Sequence, residues 1–435
     1  MLHRIIAKGV GPISPLELDL APRANIITGD NGVGKSFILD LVWLVLTRTF
    51  ANEPIQPTGQ ASLEFTMDLA KGGPKKFSSS WDRGRQEWKR SQGRPPTPGL
   101  VLYARVDGGF SVWDPRRNYW RDAPTLGVND ANRPDAFHLD RDQVWKGLEA
   151  NGQLICNGLI VDWVTWQLRA AAATLAVKDD EQAEFSQLSA ALEALSPNEQ
   201  ESIVPGKPTR VAGSAREIPT IVMPYGATVP ITIASAGMRR IAALAYLLVW
   251  AWNEHRIASI QRGLVPEHRV IFLIDEIEAH LHPKWQRVIL QALINVVQKL
   301  HREADVQLVV TTHSPLVMVG IEPTFDAARD RWFDLDVDSN TSKPEVTLTP
   351  RAFSRRGTAG RWLSSPAFDL SSEGRSPQAE QAIAEADALR SRDAPAPTRE
   401  EIEKVDATLR GALSELDTYL SRWSDWRDER LEGEP

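Results

Sequence analysis

The run Gly29-Asp30-Asn31-Gly32-Val33-Gly34-Lys35-Ser36 constrains this chain more than any other feature. G-x-x-x-x-G-K-S between an apolar strand and a helix builds a pocket for a nucleoside triphosphate. Asn25-Ile26-Ile27-Thr28 reads as the buried strand entering the loop, and Phe37 to Thr49 as the helix leaving it. Glycines let backbone N–H groups approach phosphates with no Cβ in the way, and the helix points its positive end at the same place. Asn31, Gly32, Val33, Gly34 and Lys35 would form the cradle, with Lys35 reaching the outer phosphates and the Ser36 hydroxyl ligating Mg²⁺.

The 435 residues have room for about two to three domains, and 42% hydrophobic content is ample for a core. Fifty basic against fifty-seven acidic residues give a net charge of −7, so any nucleic-acid contact must come from a local patch. No uninterrupted apolar run reaches the roughly 18 residues of a membrane span, and Ile241 to Trp252, the nearest, reads as a buried helix. Met1-Leu2-His3-Arg4 enters a strand directly, without the layout of a targeting peptide, and Cys156 is the one cysteine. A cytoplasmic protein is expected.

Along the chain the pattern predicts α/β architecture with a mostly parallel core sheet. Residues 1–142 read as the first half of that domain, with an antiparallel β insertion from Ala61 to Trp113 that includes Gly99 to Tyr103. Residues 143–217 read as a helical insertion, mostly helix to Leu195 and then a Pro/Gly/Ser/Lys-rich loop. Residues 218–350 resume the domain: Val270 to Ile274 and Val306 to Val310 are continuous apolar runs typical of central parallel strands, bridged by a helix from Pro283 to His301. Residues 351–435 read as a helical extension, with helices at Ser376–Arg392 and Thr398–Arg430. In the latter, Ile402, Val405, Leu409, Leu413, Leu416, Leu420 and Trp423 make one apolar stripe, which suits either packing on its own α/β domain or docking of a partner.

Asp275-Glu276 follows the strand Val270–Ile274, where a P-loop protein places its Mg²⁺-orienting acid and then the base that activates water. His313 lies just past the next strand, where an imidazole could touch the γ-phosphate. Ser235-Ala236-Gly237-Met238 opens a long apolar helix, a geometry that suits an anion or, more plainly, a helix cap.

In that order these motifs resemble the ABC-class P-loop ATPases, within them the SMC-like, OLD-like group with AAA_21-like members, and the ATPase subunit of Septu-type and retron-linked anti-phage systems. Gly29–Ser36 looks like the Walker A motif, Ser235–Met238 the signature, Asp275-Glu276 the Walker B motif, Glu278–Pro283 the D-loop region and His313 the switch histidine. Gln143 is the candidate Q-loop residue and third metal-site group. The resemblance implies an ATPase with Lys35, Glu276 and His313 catalytic, Mg²⁺ held by Ser36 and Asp275, and a homodimer in which Ser235 and Gly237 cap ATP on the other chain's Lys35. It also implies control of a separate effector such as an HNH nuclease in anti-phage defence.

The alternatives are an SMC-like ATPase of DNA repair or chromosome maintenance, which lacks a long heptad-bearing segment here, and a transporter ATPase, which the altered signature opposes. An OLD-like nuclease would need a Toprim domain. Asp334-Leu335-Asp336-Val337-Asp338 tempts that reading, but the alternation and the following Ser339–Ser342 turn predict a hairpin. Lys71, Lys75, Lys76, Arg83, Arg85, Lys89, Arg90 and Arg94, interleaved with Phe77, Trp81 and Trp88, are compatible with DNA contact, although a lysine-protected β edge is the commoner reason for such a pattern.

Overall fold

The computed structural model describes residues 1–69, 73–89, 97–118, 135–150, 152–175, 183–300, 304–338, 344–370, 374–391 and 397–432. Strands β1 (Leu2–Val10), β2 (Leu16–Asp19) and β3 (Ala24–Gly29) lead through the glycine-rich loop into α1 (Lys35–Thr47). β4 (Pro57–Asp68), β5 (Pro74–Asp82) and β6 (Glu87–Trp88) then join β1 and β2 in an antiparallel sheet ordered β2-β1-β4-β5-β6. The next strand, β7 (Leu100–Ala104), lacks the alternation of buried and exposed residues seen in β2: all five of its residues are buried.

That burial explains a correction. The run Gly99–Tyr103, expected in the antiparallel insertion, lies in the main sheet, pairing in parallel with the strand Arg269–Ile274 through Phe272 against Leu102. A strand covered on both faces reads as a continuous apolar run, whereas β5 has one wetter face. β8 (Phe110–Trp113) and β9 (Phe137–Leu139) extend the main sheet antiparallel beyond β7.

α2 (Arg141–Lys146), the hairpin β10 (Leu148–Ala150) and β11 (Gln153–Cys156), α3 (Leu159–Leu175) and α4 (Glu184–Ala194) follow. Residues expected as loop after Leu195 include β12 (Val204–Arg210), which pairs with β13 (Glu217–Val222) beside β14 (Thr228–Pro230). β12 carries Pro205 and Pro208 and sits at the edge of this small sheet, where missing N–H groups are tolerated. α5 (Ala236–Gln261) buries every residue from Arg240 to Asn253.

The second half runs β15 (Arg269–Ile274), α6 (Pro283–Gln286), α7 (Ile289–Leu300), β16 (Asp305–Thr311), α8 (Pro315–Ile321), β17 (Asp330–Asp338) and β18 (Glu345–Arg351). The main sheet is ordered β18-β17-β3-β16-β15-β7-β8-β9, and its five central strands, β17 to β7, are parallel. The α/β fold with a mostly parallel core, expected from the sequence, is the one observed. The loops after β3, β15 and β16 leave the same end of this sheet, which gathers the candidate site there.

Residues 358–435 form a second compact unit. It holds α9 (Ala359–Leu363), α10 (Pro377–Arg390), α11 (Arg399–Ala412) and α12 (Thr418–Glu432). Ala382, Ala386, Ile402, Leu409, Leu420 and Trp423 make a core of its own. The single helix expected over Thr398–Arg430 is broken at Leu413, whose backbone is extended. Asp417 accounts for the break: its carboxylate accepts the Tyr419 N–H at 2.9 Å and is held by Arg375, so it starts a new helix instead of continuing the old one. Leu416, counted in the apolar stripe, is 92% exposed in that turn.

A candidate nucleotide site at the ends of the parallel strands

The loop after β3 depends on two glycines. Gly29 has φ 133° and a Cβ there would lie 1.9 Å from the Leu335 carbonyl oxygen; Gly34 has φ 104° and a Cβ would meet Pro12 at 2.8 Å. Both positions favour glycine by conformation and by space. α1 begins at Lys35 without a side-chain cap, which leaves its first N–H groups available to an anion. Lys35 is buried, and its Nζ donates to the Gly29 carbonyl at 2.8 Å and to that of Asp30. Asn31, Gly32 and Ser36 are exposed while Val33 is buried, so the loop faces solvent from an anchored base.

The acids at the end of β15 are set by β16. Asp275 is buried, and its N–H donates to the Ala104 carbonyl at 2.9 Å. The Thr311 hydroxyl donates to Asp275 Oδ1 at 2.7 Å, and the Glu276 N–H donates to Thr311 Oγ1 at 2.8 Å. Glu276 adopts φ 46°, a left-handed backbone that ends the extended run of β15. His313 Nε2 lies 4.0 Å from Glu276 Oε1. Glu278 holds the histidine segment from beneath, accepting the Thr312 hydroxyl at 2.7 Å and the His313 N–H at 2.5 Å.

These groups share one electrostatic environment. Burial lowers the Lys35 pKa, while the charges of Glu276, Asp275 and Asp30 oppose that shift. Burial also lowers the His313 pKa, reinforced by Lys35 and opposed by Glu276, so the imidazole is held toward its neutral form. Glu278 is raised by burial, against the hydrogen bonds from Thr312 and His313. Lys35, Asp275, Glu276 and His313, singled out separately in the sequence, thus converge at one sheet end.

Ser235 and Gly237 lie at the start of α5. Ser235 caps it, accepting the Met238 N–H at 3.3 Å, and both Ser235 and Ala236 are exposed. A Cβ on Gly237 would lie 2.8 Å from the His280 carbonyl oxygen, so the segment after Asp275 and Glu276 packs directly on this turn. Gln143 sits in the first turn of α2 in a capping box: its Oε1 accepts the Asp140 N–H at 2.9 Å while Asp140 accepts the Gln143 N–H at 2.8 Å. Among the described residues no hydrogen bond joins Gln143 to Ser36 or Asp275.

Asp334 and Asp336 lie on β17, which pairs antiparallel with β18 and parallel with β3. Asp334 is buried, bonded to Arg351 at 2.9 Å and to the Thr28 hydroxyl at 3.2 Å. No cluster of three or more His, Cys, Asp or Glu suited to a metal occurs among the described residues. In the β insertion, Lys76 pairs with Glu64, Arg85 with Glu87 and Lys89 with Asp82. Phe77 stacks on Phe65 at 5.4 Å, and Trp81 meets Trp88 edge-on at 5.5 Å. Lys71, Arg90 and Arg94 lie outside the described residues. No helix among the described residues is long and apolar enough to cross a membrane.

Two contributors escaped the sequence reading. Thr311 was legible only as the last polar residue of an apolar run; nothing short of the β15–β16 register places its hydroxyl beside Asp275. Asp40, one turn into α1, accepts from Asn52 at 2.8 Å, and burial pushes its pKa up to about 6.

Comparison with known proteins finds similarities in both halves of the chain. Residues 164–319 match the family model "AAA domain, putative AbiEii toxin, Type IV TA system", and residues 4–86 match a second AAA domain model. The chain is 47% identical over 51 residues to a retron Vc95 probable ATPase of Vibrio cholerae serotype O1 biovar El Tor, covering 12% of this chain and 9% of that protein. It is 33% identical over 88 residues to the DNA replication and repair protein RecF of Pseudomonas savastanoi pv. phaseolicola, covering 19% of this chain and 24% of RecF. Among solved structures it is similar to the SMC head domain from Thermotoga maritima, with 16% identity and a TM-score of 0.38 over 81% of this chain and 99% of that one. The chain thus spans less than a quarter of the length of each of these two curated relatives.

Proposed function

We propose that this chain, an SMC-like P-loop ATPase of the ABC class, hydrolyses ATP at a site completed by a second copy of itself and so switches a separate effector. The observation that carries this reading is the convergence of Lys35, Asp275, Glu276 and His313 at one sheet end while Ser235 and Ala236 stand exposed at the start of α5. The buried half is built for phosphate; the exposed half offers a hydroxyl and backbone donors outward.

On ATP binding, Lys35 exchanges the Gly29 and Asp30 carbonyls for the outer phosphates. Glu276, held by its left-handed backbone and its N–H bond to Thr311, orients and deprotonates the attacking water. His313, held toward neutrality, offers a donor to the γ-phosphate. Mg²⁺ held by Ser36 and Asp275 would neutralise the developing charge on the phosphate oxygens. For Gln143 to join that metal site, its carboxamide must leave the Asp140 N–H. Ser235 and Gly237 of one chain cap the nucleotide on the other, so closure and turnover are coupled.

The match to a retron Vc95 probable ATPase favours this first reading, in which the proposed effector is a nuclease of an anti-phage system. The RecF match favours a second reading, an ATPase of DNA maintenance. The test of the ATPase site is a comparison of wild type with Glu276→Gln, by phosphate release and by light scattering with ATP. The glutamine variant should bind ATP, accumulate as a dimer and lose turnover; hydrolysis at the wild-type rate would remove Glu276 as the base. Co-purification with products of neighbouring genes then separates the two outputs.

A further inference from the structure

A cavity of about 530 Å³ opens between the end of β7, α2 and the first turns of α5. That volume lies within the roughly 300–1,000 Å³ of small-ligand sites. None of Gly29–Ser36, Asp275, Glu276 or His313 lines it. Its wall carries Arg141, Arg239 and Arg240, with Phe110 and Trp145 as apolar surface.

Arg240 is the unusual member. It is 6% exposed, and its Nη1 donates to the Arg105 carbonyl at 2.8 Å, yet its Nε and Nη2 are buried with no hydrogen-bond partner. Arg239 Nε is buried and unpartnered on the same wall. Neither arginine, nor Arg141, makes an ion pair among the described residues. The charges of Asp107, Asp275 and Glu276 reach Arg240 without bonding it: Asp107 accepts the Gly109 N–H at 2.7 Å, Asp275 accepts the Thr311 hydroxyl, and Glu276 lies 4.0 Å from His313, while Asp142 pairs with Lys146. A buried guanidinium with idle donors is costly unless an anion completes it, and its fork fits two phosphate oxygens at once.

We propose that this cavity binds a small phosphate-bearing ligand at a site separate from the P-loop, with Arg240 as the buried fork and Arg141 and Arg239 balancing its charge. The ligand would sit behind β7, whose last residue, Ala104, accepts the Asp275 N–H. The proposal does not depend on hydrolysis at the P-loop.

The test uses the full chain carrying Lys35→Ala, which weakens phosphate binding at the P-loop, titrated by calorimetry with inorganic pyrophosphate and separately with AMP. Binding of at least one probe is expected, weakened about tenfold or more by Arg240→Gln and by Arg141→Gln on that background. Tighter binding of AMP assigns the ligand to nucleotides, and tighter or equal binding of pyrophosphate to free phosphates. If Arg240→Gln does not fold, Arg141→Gln, at an exposed position, carries the same tenfold criterion. No binding of either probe at millimolar concentration, or binding untouched by the arginine substitutions, overturns the proposal.

Discussion

The Thr311 hydroxyl donates to Asp275 Oδ1 at 2.7 Å, so the last residue of β16 fixes the carboxylate that follows β15. The same oxygen accepts the Glu276 N–H, which gives one threonine control over both acids. Thr311→Val keeps the β-branched shape and removes both bonds. A hydrogen bond to a buried charge contributes about 1.5–3 kcal/mol, so ATP turnover should fall roughly 10- to 100-fold. Thr311→Ser should restore most of it. Steady-state phosphate release for the three proteins checks this, and a valine variant with wild-type kcat would reduce Thr311 to packing.

Gly237 makes the turn that opens α5 sensitive to a single methyl group. A Cβ there would meet the His280 carbonyl oxygen at 2.8 Å, and His280 itself holds φ 65°, so neither backbone yields readily. Gly237→Ala should cost about 1–3 kcal/mol of stability and shift the segment after Glu276. Denaturant unfolding, run beside Ser235→Ala, separates the two effects: the serine variant loses only a cap, about 1 kcal/mol. An alanine at position 237 with an unchanged midpoint would mean that the two segments part freely.

Much of this was legible because local chemistry and tertiary role coincide. The P-loop glycines, the apolar runs of β15 and β16 and the acids after them each occupy positions that one physical demand dictates. Illegibility began where a long-range partner decides. Leu100–Ala104 carries the same residue types as an antiparallel strand, and only its pairing with β15 puts it in the core. β12 is written in proline and glycine, and β13 beside it makes it a strand. Gln143 stands at the entry to the helical block as expected, but the Asp140 three residues earlier engages its carboxamide in a capping box.

Asp40 should make stability depend on pH with a definite sign. Burial raises its pKa from 3.8 to about 6, so the folded state binds the proton more tightly than the unfolded one. Its stabilising contribution is complete below pH 3.8 and is lost as pH rises through about 6. Asp40→Asn removes the ionisation while keeping the shape. The variant should exceed wild type by about 1–3 kcal/mol at pH 7.5, with the difference shrinking toward pH 4. Urea midpoints across that range test it; a difference that does not change with pH would contradict the raised pKa.

Asp334 and Asp336 separate a structural pair from a metal pair. Asp334 is buried against Arg351 and Thr28, whereas Asp336 is partly exposed and accepts only the adjacent Val337 N–H among the described hydrogen bonds. Were the two a nuclease metal site, either alanine substitution would abolish Mg²⁺-dependent cleavage of DNA. The hairpin instead makes their effects unequal and thermodynamic. Asp334→Ala leaves the Arg351 fork without its carboxylate and the Thr28 hydroxyl with only the Phe333 carbonyl, and should cost about 1–3 kcal/mol; Asp336→Ala should stay within about 0.5 kcal/mol. Purified wild type incubated with DNA and Mg²⁺ should leave it intact. Cleavage that disappears in both variants, with stability unchanged, would establish a metal site on β17 after all.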